Sequence, residues 1–190
     1  CWIKTCGDKD NSFIYRRSDY YPVSWTKEFS NQSIRLLMEG DFLDYLNAER
    51  TMKKLLLNEP KSIAFQKIVD FLYDSFEKYS WVGIYFLKGN ELVLGPWRGK
   101  QATEHTTILL GTGICGAAAK TGTTELVDDV SKDRRYLSCF LSTLSEIVVP
   151  IKKMNVVVGE IDIDSDRPAA FNKNDVIFLE KVADMLGQHI

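Results

Sequence analysis

Residues 139–165 read CFLSTLSEIVVPIKKMNVVVGEIDIDS. Two apolar runs, 145–151 and 156–164, flank a short polar link and are expected as paired strands. In a strand, successive side chains point to opposite faces. Glu160, Asp162 and Asp164 therefore share one face, and Ile161 and Ile163 share the other. Three carboxylates on one face repel each other and lose solvation if covered. That face either meets water or meets a positively charged ligand. The neighbouring residues are strongly apolar (Ile147, Val148 and Val149; Val156, Val157 and Val158) and argue for a covered sheet. Covered carboxylates need partners. A ligand ammonium or a shared proton would serve, and a carboxylic acid with a raised pKa can also give up a proton during chemistry.

Working outward, the C-terminal side holds a last helix that starts in Phe171-Asn172-Lys173-Asn174-Asp175, with Val176, Leu179, Val182, Leu186 and Ile190 on one face. On the N-terminal side, 81–87 and 91–97 form a hairpin around the turn Lys88-Gly89-Asn90. A strand is expected at 106–110. Gly111-Thr112-Gly113 then leads into a small-residue helix, Ile114 to Lys120, closed by Thr121-Gly122. Residues 125–127 form a short strand, and 128–143 a long polar loop that carries Cys139. Upstream, Ser62 caps a helix running to about Tyr79, with Phe65, Ile68, Val69, Leu72 and Phe76 on its apolar stripe. Residues 31–57 read as two helices broken at Gly40. Residues 1–27 read as an irregular aromatic arm, with Tyr20, Tyr21, Pro22 and Trp25 available to dock it. The fold expected is α+β: a central antiparallel sheet, terminal helices packed on one face, and ligand-covering loops on the other. The division is an N-terminal arm with helices at 1–60 and a folded domain at 61–190.

The chain has 190 residues, a formal net charge of -2 and no basic excess, so a nucleic-acid partner is not expected. No apolar run reaches the ~18 residues of a membrane span. The opening CWIKTCGDKD carries charges where a signal core would be apolar, and it begins with Cys, so residue 1 is not expected to be the start of the gene product. A cytoplasmic location follows as an expectation. The cysteines are Cys1, Cys6, Cys115 and Cys139, and the histidines are His105 and His189. No CxxC and no histidine ligand spacing occurs, so no metal is expected. Redox chemistry fits such cysteines better than structural disulfides.

Cys115 follows a Gly-Thr-Gly loop at a helix start, where backbone N–H groups favour a thiolate. The same position also suits a small apolar filler. Cys139 sits in a loop near Arg134 and Arg135, whose charge would lower a thiol pKa, or it packs with Leu137 and Phe140. Trp81 and Tyr85 lie on one face of their strand. They are either core or an aromatic wall for a small thioether or methyl group.

WVGIYFL (81–87), LVLGPWRGK (92–100), GTGICGAAAKTG (111–122), DDV (128–130), SEIVVPI (145–151) and GEIDIDS (159–165), with a cysteine-to-cysteine spacing of 24, resemble the GAF-domain free methionine-(R)-sulfoxide reductases. The resemblance covers about 62–190 and is specific in combination. It implies that Cys139 attacks the sulfoxide sulfur and becomes a sulfenic acid, and that Cys115 resolves it as an intramolecular disulfide. A thioredoxin-like dithiol then recycles the enzyme, with no bound cofactor. It implies that Glu146, Asp162 and Asp164 hold the substrate ammonium and help protonate the leaving oxygen, and that Trp81 and Tyr85 wall the methyl-sulfinyl group. Many members carry a further cysteine where this chain has the slightly longer segment 101–106, so a two-cysteine cycle is expected. Two other readings stay open: a non-catalytic GAF domain that senses a small ligand, and a module that dimerises through its N-terminal helices. A homodimer is compatible with either function.

Overall fold

The computed structural model describes residues 31–138 and 140–190, with side chains from residue 44 onward. The aromatic arm, Cys1, Cys6 and Cys139 lie outside the described residues. Two compact units are distinguished, Cys1–Phe42 and Leu43–Ile190. Of the first, the described part is helical backbone from Asn31.

The second unit is built on a six-stranded antiparallel sheet. Its strands are β1 (Trp81–Lys88), β2 (Glu91–Gly99), β3 (Thr107–Leu109), β4 (Glu125–Val127), β5 (Ser145–Lys153) and β6 (Val156–Ser165). The spatial order is β3-β2-β1-β6-β5-β4, which places the acidic strand β6 at the centre.

The period-two pattern sorts the two faces. Val82, Ile84, Ile147, Val149, Ile161 and Ile163 enter one core with the helices α2 (Lys61–Ser75) and α4 (Lys173–Gly187). Trp81, Tyr85 and Val148 face the other way, into a second cluster with α3 (Gly113–Thr121) and the long loop. Helix α2 buries Ala64, Phe65, Ile68, Val69 and Leu72, the spacing a helix needs to present one stripe. Helix α4 opens on a capping box between Asn172 and Asp175. Gly122, at φ 67°, closes α3 in the left-handed conformation.

Helix α1 (Asn31–Asn58) is continuous where a break at Gly40 was expected. A glycine in a helix interior costs only about 1 kcal/mol, too little to end a helix by itself. Ala48, Met52 and Leu56 on α1 are buried in the core with α2 and α4, so the body that carries the sheet begins ahead of residue 61. Ser62 does not cap α2: Pro60 occupies the N-cap position without a side-chain hydrogen bond. Helix α2 also stops at Ser75, short of Tyr79. Tyr79 leaves the helix, stacks on Phe76 at 4.9 Å and donates its hydroxyl hydrogen bond to Asp175 at 2.9 Å.

Candidate functional site

Strand register assembles the site row by row. Asp164 on β6 faces Trp81 on one side and Glu146 on the other. Asp162 lies between Gly83 and Val148, and Glu160 between Tyr85 and Pro150. All four acids are buried: Glu146 is 5% exposed, Glu160 0%, Asp162 2% and Asp164 2%. The acidic face is thus covered, as the apolar flanks of its strands require.

Helix α3 closes this face. Cys115, in its first turn, is 5% exposed, and its Sγ–H donates to Glu146 Oε1 at 3.7 Å. Cys115, Glu146 and Asp162 bring one ligand atom each to within 4.8 Å of one another. Three elements that share no sequence pattern therefore meet at one point. The sequence placed Cys115 at a helix N-terminus, where the dipole favours a thiolate. The tertiary structure adds carboxyl groups on the other side, and the thiol spends its proton on one of them.

Burial is the main cause of the acids' electrostatics. It raises Glu146 well above its ordinary value, with further upward pushes from Asp162, Asp164 and Glu160 and a small opposing pull from the Cys115 thiol. Burial and the charge of Asp162 raise Glu160 in the same way. Asp162 is pushed by burial up to about 7. Asp164 is raised by burial and by Asp162, against a hydrogen bond from Thr143. The Cys115 thiol opposes the rise at Glu160 and Asp162, and among the described residues both Glu160 oxygens and Asp162 Oδ1 are buried with no hydrogen-bond partner. Burial thus favours the protonated form of these acids, and a cation on this face would favour the charged form.

That arrangement sets a pH dependence of stability. The folded pKa of Asp162 lies above its unfolded value, so its contribution is fully present below about 4 and is lost as pH rises through about 7. Between those limits the loss approaches 1.4 kcal/mol per pH unit for such a group. Thermal unfolding in the presence of a chelator is expected to give a higher Tm at pH 5 than at pH 8. Asp162→Asn is expected to flatten the slope, and an unchanged slope in that variant would show that Asp162 is not the group responsible.

Trp81 and Tyr85 both reach the site face and are buried, at 3% and 0% exposure. The Trp81 indole lies across Gly83 and Gly99; a Cβ at either glycine would overlap the ring. Trp97 stacks on the indole at 6.2 Å and Phe140 tilts against it at 5.8 Å. Among the described residues the buried Trp81 Nε1–H meets no acceptor. Gly99→Ala is expected to cost about 1–3 kcal/mol by forcing the indole from its bed, read by urea denaturation. A cost below ~0.5 kcal/mol would mean the ring can shift freely. The Tyr85 hydroxyl donates to the His105 carbonyl oxygen at 2.8 Å and so ties the 101–106 segment to the floor of the site.

Arg135 forms ion pairs of its own. Its guanidinium is bound to Glu125, at 3.1 and 2.9 Å, and to Asp133, at 3.0 and 2.7 Å. Cys139 itself lies outside the described residues. Of the remaining expected site residues, Cys115, Glu146, Asp162, Asp164, Trp81 and Tyr85 line one face of the sheet. Glu160 is the residue that the expected site omits. The alternation of the EIDID run put it on the acidic face, but only the packing of α3 brings it against Cys115.

Residues 62–190 match the GAF domain family. The free methionine-R-sulfoxide reductase of Escherichia coli is 31% identical over 132 residues, covering 69% of this chain and 79% of that protein. The GAF domain-containing protein A of Dictyostelium discoideum is 34% identical over 144 residues, covering 75% of this chain and 89% of that protein. Among solved structures, the free methionine-R-sulfoxide reductase from Neisseria meningitidis in complex with its substrate superposes with a TM-score of 0.71 at 30% identity. It covers 76% of this chain and 86% of that one. Among the described residues, no helix is long and apolar enough to cross a membrane.

Proposed function

The chain belongs to the GAF domain family, beside the free methionine-R-sulfoxide reductases of E. coli and N. meningitidis, and on that footing we propose that it reduces free methionine-R-sulfoxide to methionine. The observation that carries the reading is the covered cluster of Glu146, Glu160, Asp162 and Asp164 against the Cys115 thiol. Reduction of a sulfoxide by a thiol needs a proton on the departing oxygen and a place for the amino group of the substrate. Acids raised by burial hold the proton near neutrality. An incoming ammonium lowers them again by charge pairing, so the same face can bind the substrate and then donate.

The Cys139 thiolate attacks the sulfoxide sulfur while an acid of the cluster protonates the oxygen. The oxygen passes as hydroxyl to the Cys139 sulfur while its bond to the substrate sulfur and the transient sulfur–sulfur bond both break, so methionine leaves and Cys139 becomes the sulfenic acid. Cys115 then attacks the sulfenic sulfur, water leaves, and a disulfide joins the two cysteines. An external dithiol of the thioredoxin type supplies two electrons and restores both thiols. Glu146, Asp162 and Asp164 hold the ammonium and the proton, and Trp81 and Tyr85 form the wall for the methyl-sulfinyl group. Thiol exchange of this kind suits a reducing cytoplasm.

The test is NADPH consumption coupled through thioredoxin and thioredoxin reductase, with the R and S epimers of free methionine sulfoxide assayed separately. Turnover on the R epimer alone is expected. Folded protein with reduced thiols and no turnover on either epimer would transfer the reading to a ligand-binding GAF domain without chemistry. Asp164→Asn is expected to raise KM by roughly 10-fold or more, the equivalent of ~1.4 kcal/mol of lost ammonium binding; an unchanged KM removes Asp164 from substrate binding.

A further inference from the structure

We propose that Cys115, Glu146 and Asp162 form a binding site for a thiophilic divalent cation of the zinc class. They come from α3, β5 and β6, all three are buried, and one ligand atom from each lies within 4.8 Å of the other two. The Cys115 Sγ and Glu146 Oε1 are 3.7 Å apart. A tetrahedral Zn²⁺, with bonds of about 2.3 Å to sulfur and about 2.0–2.2 Å to oxygen, sets its sulfur and oxygen ligands about 3.6 Å apart. The ion therefore fits between these atoms with little movement of either side chain.

A second observation is independent of that clustering. Among the described residues, Asp162 Oδ1 and both carboxylate oxygens of Glu160 are fully buried and lack a hydrogen-bond partner. Native interiors rarely leave such oxygens unmatched. Glu160 stands beside both Cys115 and Asp162 on the same acidic face. Together these groups supply one soft sulfur and several hard oxygens. The sulfur discriminates against Mg²⁺ and Ca²⁺, and the oxygens accommodate Zn²⁺, Co²⁺ or Cd²⁺. The sequence hides this set, because its ligands follow no motif spacing.

Binding is a ligand exchange without a redox change. The cation forms a bond to Cys115 sulfur and displaces the thiol proton, and it displaces the protons of the carboxyl groups it contacts, all of which pass to solvent. The bound ion occupies Cys115 and two of the acids proposed to take the substrate, so cation and methionine sulfoxide exclude each other. The metal measurement needs no turnover, so it stands or falls separately from the reductase reading.

The experiment uses the full chain, with reduced thiols, stripped by chelator and titrated with Co²⁺. A thiolate-to-Co²⁺ charge-transfer band is expected in the near ultraviolet, and Zn²⁺ is expected to bleach it. Calorimetry should show Zn²⁺ affinity reduced at least ~10-fold in both Cys115→Ser and Asp162→Asn. If Cys115→Ser does not fold, X-ray absorption of the one-to-one Zn²⁺ complex of the unaltered chain decides. One sulfur near 2.3 Å with oxygens near 2.0 Å supports the site. The absence of a Co²⁺ charge-transfer band, unchanged Zn²⁺ affinity in both variants, or a zinc shell of several sulfurs would each overturn it.

Discussion

Cys139→Ser is expected to abolish turnover of methionine-R-sulfoxide, and Cys115→Ser to release one methionine per protein and then stop. The two outcomes follow from different chemical roles. A serine hydroxyl at neutral pH offers almost no anion to attack sulfur, so loss of the nucleophile should lower the rate by ~10³-fold or more. Without Cys115 the first step is intact, but the sulfenic acid has no thiol to resolve it, so product formation ends after a burst. Mass spectrometry of the quenched Cys115→Ser reaction should find one added oxygen on Cys139. The surroundings of Cys115 give a third arm. Its proton points to Glu146 Oε1 at 3.7 Å, so Glu146 is the group that can take that proton when Cys115 attacks. Glu146→Gln should slow disulfide formation more than the first methionine release. Sustained turnover by Cys139→Ser would overturn the assignment of the nucleophile. Sustained turnover by Cys115→Ser would mean that the external dithiol reduces the sulfenic acid directly.

Asp175→Ala is expected to destabilise the fold by about 3–5 kcal/mol, the range for breaking a buried ion pair by removing one partner. Asp175 is 0% exposed and ties three parts of the second unit together: α1, the 78–79 segment and the start of α4. It accepts from the Tyr45 hydroxyl on α1 at 2.8 Å and from the Tyr79 hydroxyl at 2.9 Å. It accepts from Lys78 Nζ at 2.6 Å, and its Oδ2 accepts from the backbone N–H of Asn172 at 2.8 Å in the capping box of α4. Lys78 is 22% exposed and regains water when the carboxylate is removed, but Tyr79 is buried and its hydroxyl would be stranded. Asp175→Asn keeps an acceptor and should lose less. The residue stands on α4, across the sheet from the acidic cluster, so any folded fraction of the alanine variant should retain its substrate KM. Urea denaturation measures the loss, and a value below ~1 kcal/mol would show that the hydroxyls and the ammonium find other partners.

Local rules account for what could be read in the chain without its fold. The EIDID run needs only the pleat of a strand to put its acids on one face, and β6 obeys it. The hairpin at 88–90, the closure of α3 at Gly122 and the cap at Asn172 depend on nearest neighbours and fall where their residues predict. The class of fold follows, because the order of such elements leaves few ways to bury their apolar faces. Where local signals were weak, packing overrode them. Gly40 costs too little to break α1, Pro60 takes the N-cap position that Ser62 was expected to fill, and Tyr79 leaves the helical pattern to meet Asp175.

The site shows the same division. Its residue types were legible in sequence, because a thiol at a helix start and acids on a strand are local facts. Their distances were not, because these depend on strand order and register. Only pairing sets Glu146 opposite Asp164 and beds Trp81 over Gly83 and Gly99. Only the docking of α3 lowers Cys115 among Glu146, Asp162 and Glu160. Sequence by itself determined which groups could carry charge and protons. Tertiary structure decided which of them lose their water together, and desolvation is what turns four ordinary carboxylic acids into proton holders.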